Sequence, residues 1–180
     1  MENKFILTDK FVINNFGIKL FQIKCTRSFK YAQEGDLGGY IEKEDNLSQE
    51  GNAWVYDNAW VYDNAWVYGD AWVYGDARVY DNARVFDNAR VHDYARVYDN
   101  ARVYGYARVF DNARVFDNAM VYGNAWVLNN ARVYGNAVAY DFAIISEYAM
   151  VYGDSRVYGN DIVSGYDDGI NEHMNTIAKN

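Results

Sequence analysis

Proline is absent from all 180 residues, so no position is barred from donating a backbone hydrogen bond. Cysteine occurs once, at Cys25, which excludes an internal disulfide and gives no sign of an oxidising compartment. Histidine occurs only at His92 and His173. The opening stretch "MENKFILTDKF" carries charges every few residues, with no apolar run long enough for a signal peptide or membrane span. A cytoplasmic or virion protein with no membrane partner is expected. Basic residues are scarce: 17 Lys and Arg against 25 Asp and Glu leave a net charge of −8, which argues against direct nucleic-acid binding.

Aromatic residues are abundant, with 18 Tyr, 9 Phe and 5 Trp, and one short phrase dominates. Ala recurs every sixth position from Ala53 to Ala149, and Val follows two residues later from Val55 to Val133. A helix at 3.6 residues per turn would smear a strict period of six around all its faces, whereas a strand with a corner can keep it. The order Ala, Trp/Arg, Val, Tyr/Phe alternates with period two, so Ala and Val share one face. Nine Arg stand between Ala and Val: 78, 84, 90, 96, 102, 108, 114, 132 and 156. That many guanidinium groups cannot be buried unpaired, so Ala and Val point inward and the large residues outward. The remaining two residues, Asp-Asn, Gly-Asn or Gly-Asp in most hexads, are corner formers that tolerate left-handed backbone angles. Three such sides close an 18-residue triangular coil, and residue i stacks on i+18 about 4.8 Å along the axis.

An aliphatic residue followed four positions later by a small one, as in Val55 to Ala59 and Val61 to Ala65, resembles the hexapeptide-repeat, left-handed parallel β-helix proteins. The resemblance covers 40–165. One departure is Tyr or Phe directly after the aliphatic residue. The stretch "GDLGGYIEKEDNLSQEGNAWVY", 35–56, also resembles the opening of phage and prophage β-helix proteins. The expected fold is all-β: a single-stranded left-handed parallel β-helix, a triangular β-solenoid, with an N-terminal β-hairpin cap (1–39) and a short C-terminal cap (166–180).

Within the cap, "KFVINNFGIKLFQIKC" reads as two strands around an Asn14-Asn15-Phe16-Gly17 turn. Gly39-Tyr40, Asp45-Asn46 and Gly51-Asn52 extend the corner frame backward, with Ile41, Lys43, Leu47 and Gln49 in the inward slots of an incomplete first coil. At the far end Asp161 breaks the Ala slot, Asp167-Asp168-Gly169 stops the repeat, and Ile170, Met174 and Ile177 fall on one face of a short helix.

Many hexapeptide-repeat proteins are acyltransferases, which the resemblance brings into view. Such enzymes use a catalytic His, a long loop and a cofactor groove, but no insertion interrupts the hexads from Asn52 to Gly165. His92 replaces a Tyr in an outward column and His173 sits in the tail. Two His cannot fill the three-His zinc site of γ-type carbonic anhydrases. Cys25 reads as a packing residue. No catalytic residue, metal ligand or cofactor is assigned.

Sorting the outward residues by 18 gives one regular side: Trp60, Arg78, Arg96, Arg114, Arg132 and Met150, flanked by Tyr62, Tyr80, Tyr98, Phe116, Tyr134 and Tyr152. Its corner carries Asn64, Asn82, Asn100, Asn118 and Asn136, able to link their amides in a ladder. Stacked Arg repel unless anions intervene, and Asp76, Asp93 and Asp111 at the preceding corner are placed to do so. Arg lying across Tyr rings is the structural role to expect. The functional expectation is an interface, since Tyr, Trp and Arg carry most binding energy. It points to an unidentified protein partner, a host protein if the chain is phage-encoded, or to a homodimer or homotrimer. Two other readings stand beside it: an acidic nucleic-acid mimic displaying corner Asp63, Asp81, Asp99 and Asp117, and an acyltransferase. Four of the five Trp fall in 54–72, a ring expected to pack under the cap.

Overall fold

The computed structural model describes residues 3–165. The expected C-terminal cap, with Ile170, His173, Met174 and Ile177, lies outside the described residues. At the N-terminus, β1 (Phe5–Ile13) and β2 (Lys19–Cys25) form an antiparallel hairpin. Its turn is closed by the Asn14 side chain, whose Oδ1 accepts the N–H groups of Phe16 and Ile18, with Gly17 at φ +81°. A third strand, β3 (Leu37–Ile41), pairs antiparallel with β2 on one edge and parallel with the first coil on the other. The cap is therefore three-stranded, and β3 spans the expected boundary at 39/40. Backbone comes very close here: a Cβ on Gly39 would stand 2.7 Å from the Ala59 carbonyl oxygen.

From β4 (Trp54–Val55), β5 (Trp60–Val61) and β6 (Trp66–Val67) onward, three parallel sheets run side by side. They hold nine, seven and six strands, the largest including the cap. Trp60 pairs with Arg78, Arg78 with Arg96, Arg96 with Arg114, and Arg114 with Arg132, so residue i stacks on i+18. The Trp54 and Trp66 sides follow the same rule. This is the β-solenoid that the repeat implies, and the inward slots are as expected: the hexad Ala and Val residues form one continuous buried column.

Most coil strands are shorter than the alternation suggests. Outside Ile144–Glu147 and Ile162–Gly165, only the Arg/Trp position and the Val after it pair as strand, because the Tyr after Val already starts the corner: its carbonyl accepts the N–H of the next Ala, as in Ala59 to Tyr56 at 3.1 Å. The first corner residue takes the positive φ, 56° at Asp63 and 69° at Gly69, and among the described residues this slot is mostly Asp or Gly. Such angles suit Gly and short polar side chains, which explains the composition of the corners.

The incomplete first coil differs from a plain extension of the frame. Ile41 and Leu47 point inward, but 44–46 form a 3₁₀ turn with Asn46 fully buried. The Asn46 amide donates to the carbonyls of Asp63 and Ala65, and its Oδ1 accepts the Lys43 N–H. Gln49 leaves the inward role and ties the coil to β1 through the backbone of Lys4 and Phe5. Lys4 closes the mouth of the tube, its ammonium donating to the Ala53 carbonyl at 2.8 Å and lying 5.3 Å from the Phe29 ring centre. Among the described residues no helix is long and apolar enough to cross a membrane.

Candidate functional site

The side that continues the cap sheet gathers every expected binding residue: Trp60, Arg78, Arg96, Arg114 and Arg132 in one column, Tyr62, Tyr80, Tyr98, Phe116 and Tyr134 in the next. Three ladders run along it. The aromatic column is a stack of parallel rings with centres 4.9–5.3 Å apart from Tyr62 to Tyr152. Tyr62 is buried against Leu20 and Tyr40 of the cap, and the later rings are half-buried. The expected outward Tyr column thus lies flat along the corner, ring on ring, because the turn at Tyr leaves it no strand position from which to stand out.

The second ladder is the Asn row. Each amide donates to the carbonyl oxygen of the Asn one coil on, at 3.3 Å from Asn64 through Asn136. Lys43 donates into the first Asn and Asp154 accepts from the last. All the amide dipoles point the same way, with a cation at the donor end and a carboxylate at the acceptor end, an arrangement in which each bond polarises the next. The third ladder went unforeseen. Asp63, Asp81, Asp99 and Asp117 each accept, through Oδ2, the backbone N–H of the same corner position one coil on, at 3.0–3.4 Å. The acidic row satisfies corner backbone while remaining a line of negative charge.

Two expectations for the Arg column are corrected. Two of the three carboxylates expected to neutralise it are used elsewhere: Asp93 holds His92 Nδ1 at 3.0 Å, and Asp111 accepts from Asn129 through both backbone and amide. Among the described residues no Arg of this row forms an ion pair, the only such pairs being Lys30–Asp70 and His92–Asp93. Nor do the Arg lie across Tyr rings, since those faces are taken up by ring-on-ring stacking. Among the described residues, Arg makes cation–π contact only where it neighbours a Trp in its own column: Arg78 over Trp60 at 4.4 Å, Arg90 over Trp72 and Arg108 over Trp126.

Of the Trp ring, Trp54 is fully buried against Phe5 and Phe29, and Trp72 stacks on Tyr31 of the cap loop at 5.0 Å. Trp60 packs beside the Leu20 cluster, while Trp66 stays exposed and stacks on Tyr68. His92 fits as an aromatic substitute, stacked between Tyr74 and Phe110 and half-buried rather than solvated. Burial pushes its pKa down. Cys25 is buried and donates to the Arg27 carbonyl.

Sequence reasoning missed a second set of residues. Tyr106 and Phe142 occupy the corner slot that holds Asn in neighbouring coils and are 62% and 61% exposed. With Trp126 and Ile162 they make the corner and the adjoining Trp54 side apolar toward the C-terminal coils. The available signal was the departure from the repeat, an aromatic where a turn former belongs.

The stacked rings set an alkaline limit. Burial raises the hydroxyl pKa values of Tyr62, Tyr68, Tyr74, Tyr98 and Tyr104, and pushes Tyr80 up to about 12 from an ordinary value of 10. For a raised acid the folded state holds its proton longer than the unfolded one, so this stability is complete below pH 10 and is lost as pH climbs above it. Lys4 has the opposite sign. Burial, with the Arg27 charge, lowers it to about 8, so its contribution grows as pH rises from there toward its ordinary 10.5. Thermal melts across this range should show a shallow rise above pH 8 and a steep fall above pH 10, with Lys4→Met removing the rise alone. A midpoint still level well above pH 10 would contradict the buried stack.

Four consecutive stretches, 59–75, 77–93, 95–111 and 113–129, match the family model described as YdcK Beta solenoid repeat. Each begins on an Ala of the cap side, so one match corresponds to one coil. No curated protein matches the chain. The chain is a β-solenoid repeat protein.

Proposed function

We propose that this β-solenoid repeat protein is a non-catalytic binding scaffold, and that the side carrying Arg78, Arg96, Arg114 and Arg132 docks a protein partner. The observation that carries this reading is the Arg row itself: four guanidinium groups on a flat, laddered side, none paired with a carboxylate among the described residues. Stacked rings and amide ladders hold the side rigid, so little conformational freedom is lost on docking, and Arg and Tyr are the residue types on which interface energy concentrates. Catalysis plays no part in the reading. His92 is held within a ring stack and Cys25 is buried in the cap, so neither stands ready as a base or nucleophile. The resemblance of 35–56 to phage β-helix proteins supports a specific form, in which the protein works in a host cytoplasm and blocks a host protein.

Affinity capture with the full chain tests the reading. Wild type and a Tyr106→Asn/Phe142→Asn variant should retain the same partner, and Arg96→Glu/Arg114→Glu should lose it by at least tenfold. Equal capture by the Arg variant would remove this side from the proposal.

A further inference from the structure

We infer that the Arg side pairs with a second copy of this chain, the two solenoids lying parallel about a two-fold axis that runs along their length. The inference rests on the reading of this side as a protein-docking surface and names its occupant. Both charged rows on the side advance by one residue per coil: Arg78, Arg96 and Arg114, and three positions further along each coil Asp81, Asp99 and Asp117. Their axial spacing is that of parallel strands, about 4.8 Å. A row of charges at that interval is matched along its whole length only by a body with the same rise, and another copy of this solenoid has it.

Symmetry then selects the orientation. In an isologous pair the same patch faces itself. A two-fold axis across the solenoid, lying in the interface, would set the Arg row against the Arg row of the other copy. An axis along the solenoid, passing between the rows, sets Arg78 opposite Asp81, Arg96 opposite Asp99 and Arg114 opposite Asp117, each pair occurring twice. The Tyr80, Tyr98 and Phe116 stack lies between the rows and would be covered on both copies. Arg row and Asp row are both half-exposed, and Oδ2 of Asp81, Asp99 and Asp117 keeps its backbone hydrogen bond along the axis, so the ladder need not break for the carboxylate to meet a guanidinium. The matching spans these three coils; one coil earlier Trp60 would meet Asp63. At the next coil Arg132 would meet Gly135, and beyond it Met150 would meet Gly153.

The side measures roughly 30 Å by 15 Å, on the order of 450 Å² per copy, below the roughly 800 Å² per partner of a standard stable interface. The pair is therefore concentration-dependent and, being held by exposed charge, salt-sensitive. It leaves the Trp54 and Trp66 sides, with Trp66, Trp126, Tyr106 and Phe142, facing outward.

Sedimentation velocity of the full chain at low salt should give a dimer that dissociates on dilution and on adding salt. Arg96→Glu/Arg114→Glu should shift the dissociation constant at least tenfold toward monomer, with an unchanged circular dichroism spectrum, and Arg96→Lys/Arg114→Lys should remain dimeric. Spin labels at Asn64→Cys and at Asp154→Cys, near opposite ends of the side, should each give short distances between like sites of the two copies. A monomer at every soluble concentration overturns the inference, as does a dimer indifferent to the Glu variant, or long distances at both labels, which would report antiparallel pairing. A monomer that still loses its captured partner through the Arg variant would overturn self-pairing alone and leave the docking reading standing.

Discussion

Replacing Trp54 with Ala should destabilise the protein by about 3–5 kcal/mol, the range for a fully buried large aromatic, and the loss should concentrate where cap meets coil. Trp54 is the largest fully buried side chain, with Phe5 of β1 at 6.5 Å and Phe29 of the cap loop at 5.3 Å between ring centres. Its indole N–H has no partner among the described residues, so the truncation strands no polar group, and the whole effect is lost packing. The neighbouring carbonyl of Ala53 accepts from Lys4, so loosening here also opens the ammonium contact that closes the tube. With the cap detached, the first coil would present unpaired strand edges, a template for association between chains. Hydrogen exchange should show protection lost first in 5–25, followed by aggregation on gentle heating. Trp66→Ala is the control: it is exposed and stacks only on Tyr68, so it should cost less than about 1 kcal/mol. Equal effects at the two Trp would mean that the cap is not held by this contact.

Three deletions should separate the tube from its surface. Removing 95–112, one whole coil, leaves every column continuous and should give a shorter protein with the same cooperative melt at a slightly lower temperature. Removing 95–100, one hexad, keeps Ala and Val inward throughout but turns everything downstream by one side. Tyr106 then falls beneath Asn82, the Asn ladder ends there, and the Arg row is interleaved with Met120 and Val138. Removing Asn100 alone is the severe case. The next strand either misses its place by about 3.3 Å or slips one residue, which drives Arg102 and Tyr104 into a core lined by fully buried Ala and Val. That deletion should cost roughly 5 kcal/mol or more, as buried unpaired charge does, and show no cooperative transition. A cooperative melt for the single-residue deletion, close to that of the coil deletion, would mean the corners tolerate far more slack than their backbone hydrogen bonds suggest.

The lining of the tube was legible because its constraint is local and repeated. A narrow three-sided core accepts only small and β-branched residues, so Ala and Val recur at fixed spacing whatever lies outside. The Asn ladder was legible for the same reason, since five Asn at intervals of 18 have few other uses. The acidic row was harder to read. Asp63 or Asp99 serves both as a corner residue with positive φ and as acceptor for the next coil's N–H, and spacing shows only the first role. Trp54 and Trp66 are identical in the repeat, yet one is fully buried and the other exposed, because cap residues Phe5 and Phe29 pack over the Trp54 side and leave Trp66 uncovered.

The sequence by itself determined the period, the inward face, the 18-residue coil and the columns that share a side, because each follows from the geometry of a strand and the size of a buried side chain. Only the tertiary structure decided what those columns touch. It laid the Tyr rings on one another instead of beneath Arg, gave the corner carboxylates to backbone N–H groups, and among the described residues left the Arg row without an acid. The physical reason is that such contacts form between coils, where a rise of about 4.8 Å suits ring stacking and hydrogen bonding between like residues, and no order of residues within a single hexad specifies them.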